Sequence, residues 1–141
     1  MMVKSVVLPI GPDAAFALFT ERAGEWWPPE RRHTDDPQSE IYIEATGRFF
    51  ERARDGREVD LGQVRAWNPP RLILLDFFIA TGLERPTEVE IAFEPGGQNA
   101  QVTQVTVTHR PKPSSEALWD ARAPRYAESW DLVLAALARI A

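Results

Sequence analysis

Two polar side chains in this sequence stand where chemistry could be done. Asp76 interrupts the otherwise apolar run from Leu72 to Ile79. A carboxylate buried in such a strand must be hydrogen-bonded, paired with an arginine, or protonated through an upward pKa shift. Two readings follow: a structural contact to arginine or tyrosine, or a polar anchor and acid–base group for a ligand. His109 closes a later strand on its apolar side; it is either a structural histidine of the core or, in an enzyme, the general base, since an imidazole titrates near neutrality. If the strands of Asp76 and His109 lie two spacings apart, about 9–10 Å separates them, so no direct dyad is expected. His33, Asp35 and Asp36 have the donor types of a metal site. Three donors in one polar loop, with no second histidine beside them, read instead as a solvated loop, and no metal is expected. Ser129 has no histidine or carboxylate at a nucleophile's register. Gly96-Gly97 falls in a hairpin rather than before a helix, so it is no phosphate loop.

Large aromatics are the stronger collective signal. Trp27, Phe49 or Phe50, Trp67, Phe78, Tyr126 and Trp130 come from elements that should converge. They form either packed core or the lining of a cavity in which indole and phenol groups orient a mostly apolar ligand. The expected binding set is Trp27, Phe50, Trp67, Asp76, Phe78, His109, Tyr126 and Trp130. Asp76 and His109 are the catalytic candidates if the protein is an enzyme. The expected partner is a small hydrophobic ligand, and no cofactor is implied.

The elements that must position these residues follow from local pattern. Lys4–Leu8 is a β-branched run stopped by Pro9, a strand near a sheet edge. Pro12 and Asp13 suit the first turn of a helix over Pro12–Glu21, with Ala15, Phe16, Leu18 and Phe19 on its buried side. Gly24 ends that helix, and Trp26-Trp27-Pro28-Pro29 reads as a short helical turn before the polar loop Arg31–Gln38. Six strands follow: Ile41–Ala45, Arg48–Arg54, Glu58–Trp67, Arg71–Ala80, Thr87–Glu94 and Val102–His109. Between them stand turn residues, namely Thr46-Gly47, Asp55-Gly56, Asn68-Pro69-Pro70, Gly82 and Pro95-Gly96-Gly97. Strand succeeds strand with no room for helical crossovers, so the sheet is antiparallel. The final quarter is helical: Trp119, Ala123, Tyr126, Trp130, Val133, Leu137 and Ile140 repeat at intervals of four and three, one apolar stripe. Pro124 predicts a kink or a short lead helix, which Ser114 or Ser115 can cap.

Alternation assigns faces. Val89, Ile91 and Phe93 share one side of their strand; Val105, Val107 and His109 share one side of theirs. The Arg71–Ala80 strand is apolar on both sides. Leu72, Leu74, Asp76 and Phe78 are assigned to the inner face, and Ile73, Leu75 and Phe77 to the outer. A strand covered on one side only does not read this way. Either neighbouring side chains cover the outer face, or a second copy does, giving a homodimer through Ile73, Leu75 and Phe77.

The chain has 141 residues, 44% hydrophobic and 26% charged, which suits one globular domain with its own core. Sixteen basic against 21 acidic residues leave a net charge of -5, the wrong sign for nonspecific nucleic-acid binding. Cysteine is absent, so disulfides, thiolate nucleophiles and Cys-ligated zinc are excluded. The longest apolar run is too short to span a bilayer, and Met1–Ile10 lacks a signal peptide's pattern, so no membrane insertion and a cytoplasmic location are expected.

In this order the fragments resemble a known family. Phe16-Ala17-Leu18-Phe19-Thr20-Glu21 with Trp26-Trp27-Pro28, then Gly47-Arg48-Phe49-Phe50-Glu51, Asp55-Gly56 and Gly62-Gln63-Val64 begin the likeness. Trp67-Asn68-Pro69-Pro70-Arg71-Leu72, Glu94-Pro95-Gly96-Gly97, Val105–His109 and Trp130–Leu134 complete it. The chain resembles homologues of the activator of Hsp90 ATPase, within the START/Bet v 1-like (SRPBCC) superfamily. The resemblance implies an α+β helix-grip fold: about seven antiparallel strands curved around a long C-terminal helix, with a cavity between. It also implies a choice of activities. Relatives bind lipids, hormones or polyketides, some are cyclases or hydrolases, and the namesake stimulates a chaperone ATPase. Asp76 stands where the family often has tryptophan, and Ser129 where glycine commonly precedes the last helix's tryptophan.

Overall fold

The computed structural model of the protein describes residues 1–45 and 47–141. Thr46, half of the expected Thr46-Gly47 turn, lies outside the described residues. Seven strands are joined in chain order with three helices: β1 (Met2–Leu8), α1 (Pro12–Glu21), α2 (Ala23–Trp26), β2 (Glu40–Ile43), β3 (Arg48–Arg52), β4 (Glu58–Asn68), β5 (Leu72–Phe77), β6 (Thr87–Gly96), β7 (Asn99–Arg110) and α3 (Glu116–Ile140). All neighbours pair antiparallel in the order β1-β7-β6-β5-β4-β3-β2. Hairpins build β2 through β7. The first strand instead crosses to the far edge and pairs with β7, Met2 opposite His109 and Leu8 opposite Thr103. The sheet curls into a half-barrel around α3, the α+β helix-grip arrangement.

Cross-strand register fixes which side of each strand is inside. Val89 faces His109, Ile91 faces Val107 and Phe93 faces Val105. The register of β5 then sets Ile73 against Ile91 and Leu75 against Val89. Directly opposed residues point to the same face, so Ile73, Leu75 and Phe77 belong to the core, at 0%, 1% and 5% exposure. This corrects the assignment from alternation, which had the two sides of β5 exchanged. A homodimer through Ile73, Leu75 and Phe77 therefore has no surface to use. The outer side carries half-buried Leu72 and Leu74 with Asp76, covered by their neighbours on the curved sheet.

Two irregularities re-aim β3 and β4. A bulge places Leu61 between the pairs Phe49–Gly62 and Phe50–Asp60, and a second lies between Val64 and Ala66. Such insertions bend and twist a strand. Gly62 sits at the bend, where a Cβ would collide with the carbonyl oxygen of Asp76. Only glycine permits that approach of β4 to β5.

The last helix runs continuously through Pro124, so the separate lead helix that was one of two expectations does not form. Pro124 and Asp120, the residue one turn earlier, are both exposed, so the carbonyl that loses its helical donor can meet water. Ser115 precedes the helix without capping it; its hydroxyl donates to the Pro86 carbonyl at 2.9 Å and accepts from the Lys112 N–H at 3.0 Å. Of the apolar stripe, Tyr126, Trp130, Val133 and Leu137 are buried, Trp119 is half-buried, and Ile140 is exposed. The aromatics divide into two groups. Phe16 meets Trp67 and Phe93 edge-on at 5.2 and 5.1 Å, under α1. Phe77 gathers His109, Trp130 and Tyr126 at 5.3–6.1 Å, under α3.

Candidate functional site

Phe77, Tyr126 and Trp130 of the second aromatic group form the floor of a cavity of about 700 Å³ between the sheet and α3. Three pieces of chain enclose it: the Trp27–His33 segment, the Val59–Leu61 and Phe77–Ala80 parts of β4 and β5 with its following loop, and the Ala121–Val133 face of α3. Trp27, Leu61, Phe77, Trp130 and Val133 are apolar and buried, whereas Arg31, Arg32, Arg122, Arg125 and Ser129 supply polar atoms towards the mouth.

The Trp27–His33 segment is shaped by its prolines. Pro28 and Pro29 cannot continue α2, and the chain turns through a short 3-10 segment, Pro29–Arg31. Arg32 ties this turn together by donating to the carbonyls of Gly24 at 2.8 Å and Trp27 at 2.9 Å, and to Ser39. Its buried Nε has no partner among the described residues, and burial, partly offset by Glu51 and Asp36, lowers its pKa. The loop beyond is anchored rather than merely solvated. The fully buried carboxylate of Glu51 accepts from the N–H groups of His33 at 2.7 Å and Thr34 at 3.0 Å, and from the Thr34 hydroxyl. Asp36 accepts from the backbone N–H and guanidinium of Arg54 and from the N–H of Gln38, which hold its pKa at about 2. Asp36 is thus committed to a structural role, and among the described residues no group of three His, Cys, Asp or Glu side chains is arranged for a metal.

His109 lies behind the cavity floor rather than in it. Its ring is fully buried, and both nitrogens are engaged. The indole Nε1–H of Trp130 donates to Nδ1 at 3.0 Å, which makes Nδ1 an acceptor. Nε2 therefore carries the proton and donates to the Thr87 hydroxyl at 2.7 Å, while Thr87 donates to the Phe77 carbonyl at 3.4 Å. Burial drives the imidazole pKa down to about 3, assisted slightly by the N-terminal charge. A neutral ring with no free nitrogen is a structural pin between β6, β7 and α3. In this arrangement neither nitrogen is offered to the cavity, whose lining does not include the ring.

Asp76 is on the opposite side of the sheet. It accepts from Lys112 Nζ at 2.8 Å, with Arg65 at 3.6 Å, so its close partner is a lysine rather than the arginine or tyrosine expected, and it does not line the cavity. Asp76 and His109 are separated by the sheet itself. Phe50 also faces outward, stacked on Tyr42 at 5.0 Å beneath the guanidinium of Arg48. Its neighbour Phe49 points inward, between Trp27 and Phe77. Trp67 belongs to the group under α1, away from this cavity. Of the eight expected residues, the structure brings together Trp27, Phe78, Tyr126 and Trp130 along the cavity and leaves Phe50, Trp67, Asp76 and His109 outside its lining.

Sequence reasoning missed the arginines and His33 at the mouth. One signal was present: Arg122, Arg125 and Ser129 recur three and four residues apart along α3, a polar strip beside the apolar one. Ser129 accepts from Arg31 Nε at 2.8 Å. Tyr126 donates its hydroxyl to the Ile79 carbonyl at 2.6 Å, and burial raises its pKa. Burial lowers the pKa of His33. Among the described residues, neither Ser129 nor Tyr126 hydrogen-bonds a histidine or a carboxylate. No helix is long and apolar enough to cross a membrane among those residues.

A curved antiparallel sheet gripping a C-terminal helix, with a cavity under that helix, is the helix-grip arrangement. The chain belongs to the family of Activator of Hsp90 ATPase homolog 1-like proteins, whose model matches residues 10–141. Solved structures share the fold. The self-sacrificing resistance protein CalC from Micromonospora echinospora is 21% identical with a TM-score of 0.69, covering 98% of this chain and 91% of its own. The anthrahydroquino-gamma-pyrone synthase Txn09, solved as a complex, is 22% identical with a TM-score of 0.60, covering 99% and 96%. Protein NE0264 from Nitrosomonas europaea is 12% identical with a TM-score of 0.66, covering 98% and 91%. A search of curated proteins finds no match.

Proposed function

We propose that the protein binds a small hydrophobic or amphipathic molecule in the cavity between the sheet and α3. The observation that carries this is the cavity itself. Its volume of about 700 Å³ falls within the range of small-molecule sites, roughly 300–1,000 Å³. Its floor is apolar in effect as well as composition, because the polar atoms of Trp130 and Tyr126 are already bonded to His109 and to the Ile79 carbonyl. A ligand resting there meets ring faces and aliphatic carbons. The alternative of a cyclase or hydrolase working through Asp76 or His109 loses its geometric support, since neither group reaches the cavity. The similar structures include a synthase and a resistance protein, so their likeness supports the scaffold and not one activity.

The test is fluorescence titration with the neutral apolar probe N-phenyl-1-naphthylamine. Saturable enhancement is expected. The double substitution Val59→Trp with Ala121→Trp enlarges side chains on two walls, at a half-buried and an exposed position, and should abolish the signal while leaving the thermal transition intact. No enhancement with the unmodified protein, or equal enhancement with a folded filled variant, overturns the proposal.

A further inference from the structure

The cavity mouth is cationic in a chain that is acidic overall. Arg31, Arg32, Arg122 and Arg125 line it against two carboxylates, Glu30 and Asp60, although the whole chain carries a net charge of -5. Asp60 is already occupied, accepting from Arg48 at 3.0 Å. Arg122 donates Nε to the Ala80 carbonyl at 3.0 Å and meets no carboxylate among the described residues. Arg125, three residues further along α3, has no hydrogen-bond or ion-pair partner among them. Arg31 reaches the same face of the helix through Ser129, one turn beyond Arg125, and its remaining ion pair is to the exposed Glu128 at 3.6 Å. Uncompensated guanidinium groups beside a low-dielectric cavity repel one another. An anion placed among them relieves that repulsion and gains charge-assisted, planar hydrogen bonds that a neutral ligand cannot make.

We infer that the ligand is an anionic amphiphile, its apolar body on Trp27, Phe77 and Trp130 and a carboxylate held at the mouth by Arg125, Arg122 and Arg31. This rests on the cavity-binding reading above and names the class of molecule it selects. Arg125 is the discriminating residue, because among the described residues it alone of the three has no hydrogen bond or ion pair that its removal would break. Arg122 and Arg31 also hold the loop after β5 and the 3-10 turn, so their loss changes shape as well as charge.

The experiment uses N-phenyl-1-naphthylamine bound to the full chain, displaced by decanoate or by decan-1-ol. The two displacers share a chain length and differ in charge. Decanoate should displace at a concentration about tenfold lower, the scale of one charge-assisted hydrogen bond at a partly solvated site. Arg125→Ala should bring the two to parity, and Arg125→Lys should keep part of the preference. Arg139→Ala, which removes an equal charge from the far end of α3, should leave the preference unchanged. Added salt should erode the preference for decanoate without affecting decan-1-ol. If the probe binds but decanoate has no advantage, or keeps it undiminished in Arg125→Ala, the anionic inference falls and the cavity reading stands. If the probe does not bind at all, both fall.

Discussion

His109→Gln isolates the largest electrostatic consequence of this core. The imidazole falls from an ordinary value of 6.5 to about 3 in the folded protein because burial disfavours the cation. A depressed folded pKa stabilises the native state fully above 6.5. That stabilisation is lost as pH falls towards 3, because the unfolded chain takes up a proton the folded chain refuses. Integrated between about pH 7.5 and pH 5, the loss is about 2 kcal/mol, and the slope approaches ~1.4 kcal/mol per pH unit at the acid end of that window. Most carboxylates remain ionised there, so the window separates this histidine from general acid unfolding. Glutamine does not titrate, yet it can accept from Trp130 Nε1 and donate to Thr87. Urea unfolding at a series of pH values should therefore show the unmodified protein losing about 2 kcal/mol that the variant keeps, whatever the variant's stability at neutral pH. Parallel pH profiles for the two proteins would refute the reasoning. They would mean that His109 is protonated in the native state or opens to water before unfolding.

Two further substitutions probe the frame around the site. Gly62→Ala drives a Cβ into the Asp76 carbonyl at the bend of β4; it should cost about 2 kcal/mol or more by separating two central strands, and a melting curve reads it directly. Asp76→Asn weakens the contacts to Lys112 and Arg65 on the outer face. It should cost about 1 kcal/mol in urea unfolding while leaving probe binding within about twofold. A large loss of binding with stability unchanged would return Asp76 to the cavity.

Much of the scaffold could be read from local signals, and particular residues show where reading stopped. Pro12 and Asp13 set the start of α1 as expected, and Glu21 its end. Turn residues divided β2 to β7 in the right number and order, with strand ends differing by a few residues. Pro124 does not divide the last helix in two, because a proline's effect on a helix depends on what surrounds the carbonyl it deprives, and here that side is open to water. The candidate site was half legible. Trp27, Phe78, Tyr126 and Trp130 were found from size and convergence. Phe50 and Asp76 were misplaced, since the bulge that sets Phe49 inward and the register that sets Asp76 outward both depend on neighbouring strands. His109 was put on the correct face, but its chemistry lies in Trp130 and Thr87, 21 and 22 residues away.

The order of elements, the antiparallel sheet and the apolar stripe of the last helix are properties of neighbouring residues. Backbone sterics and burial periodicity act over a few residues, so the sequence alone determines them. Register across the nine residues joining β5 to β6 is not such a property. A strand apolar on both faces satisfies alternation either way round, and only pairing with β6 and packing against α3 choose between them. That one choice sends Phe77 into the cavity floor and Asp76 to Lys112. It leaves the mouth to arginines that no local pattern assigned there.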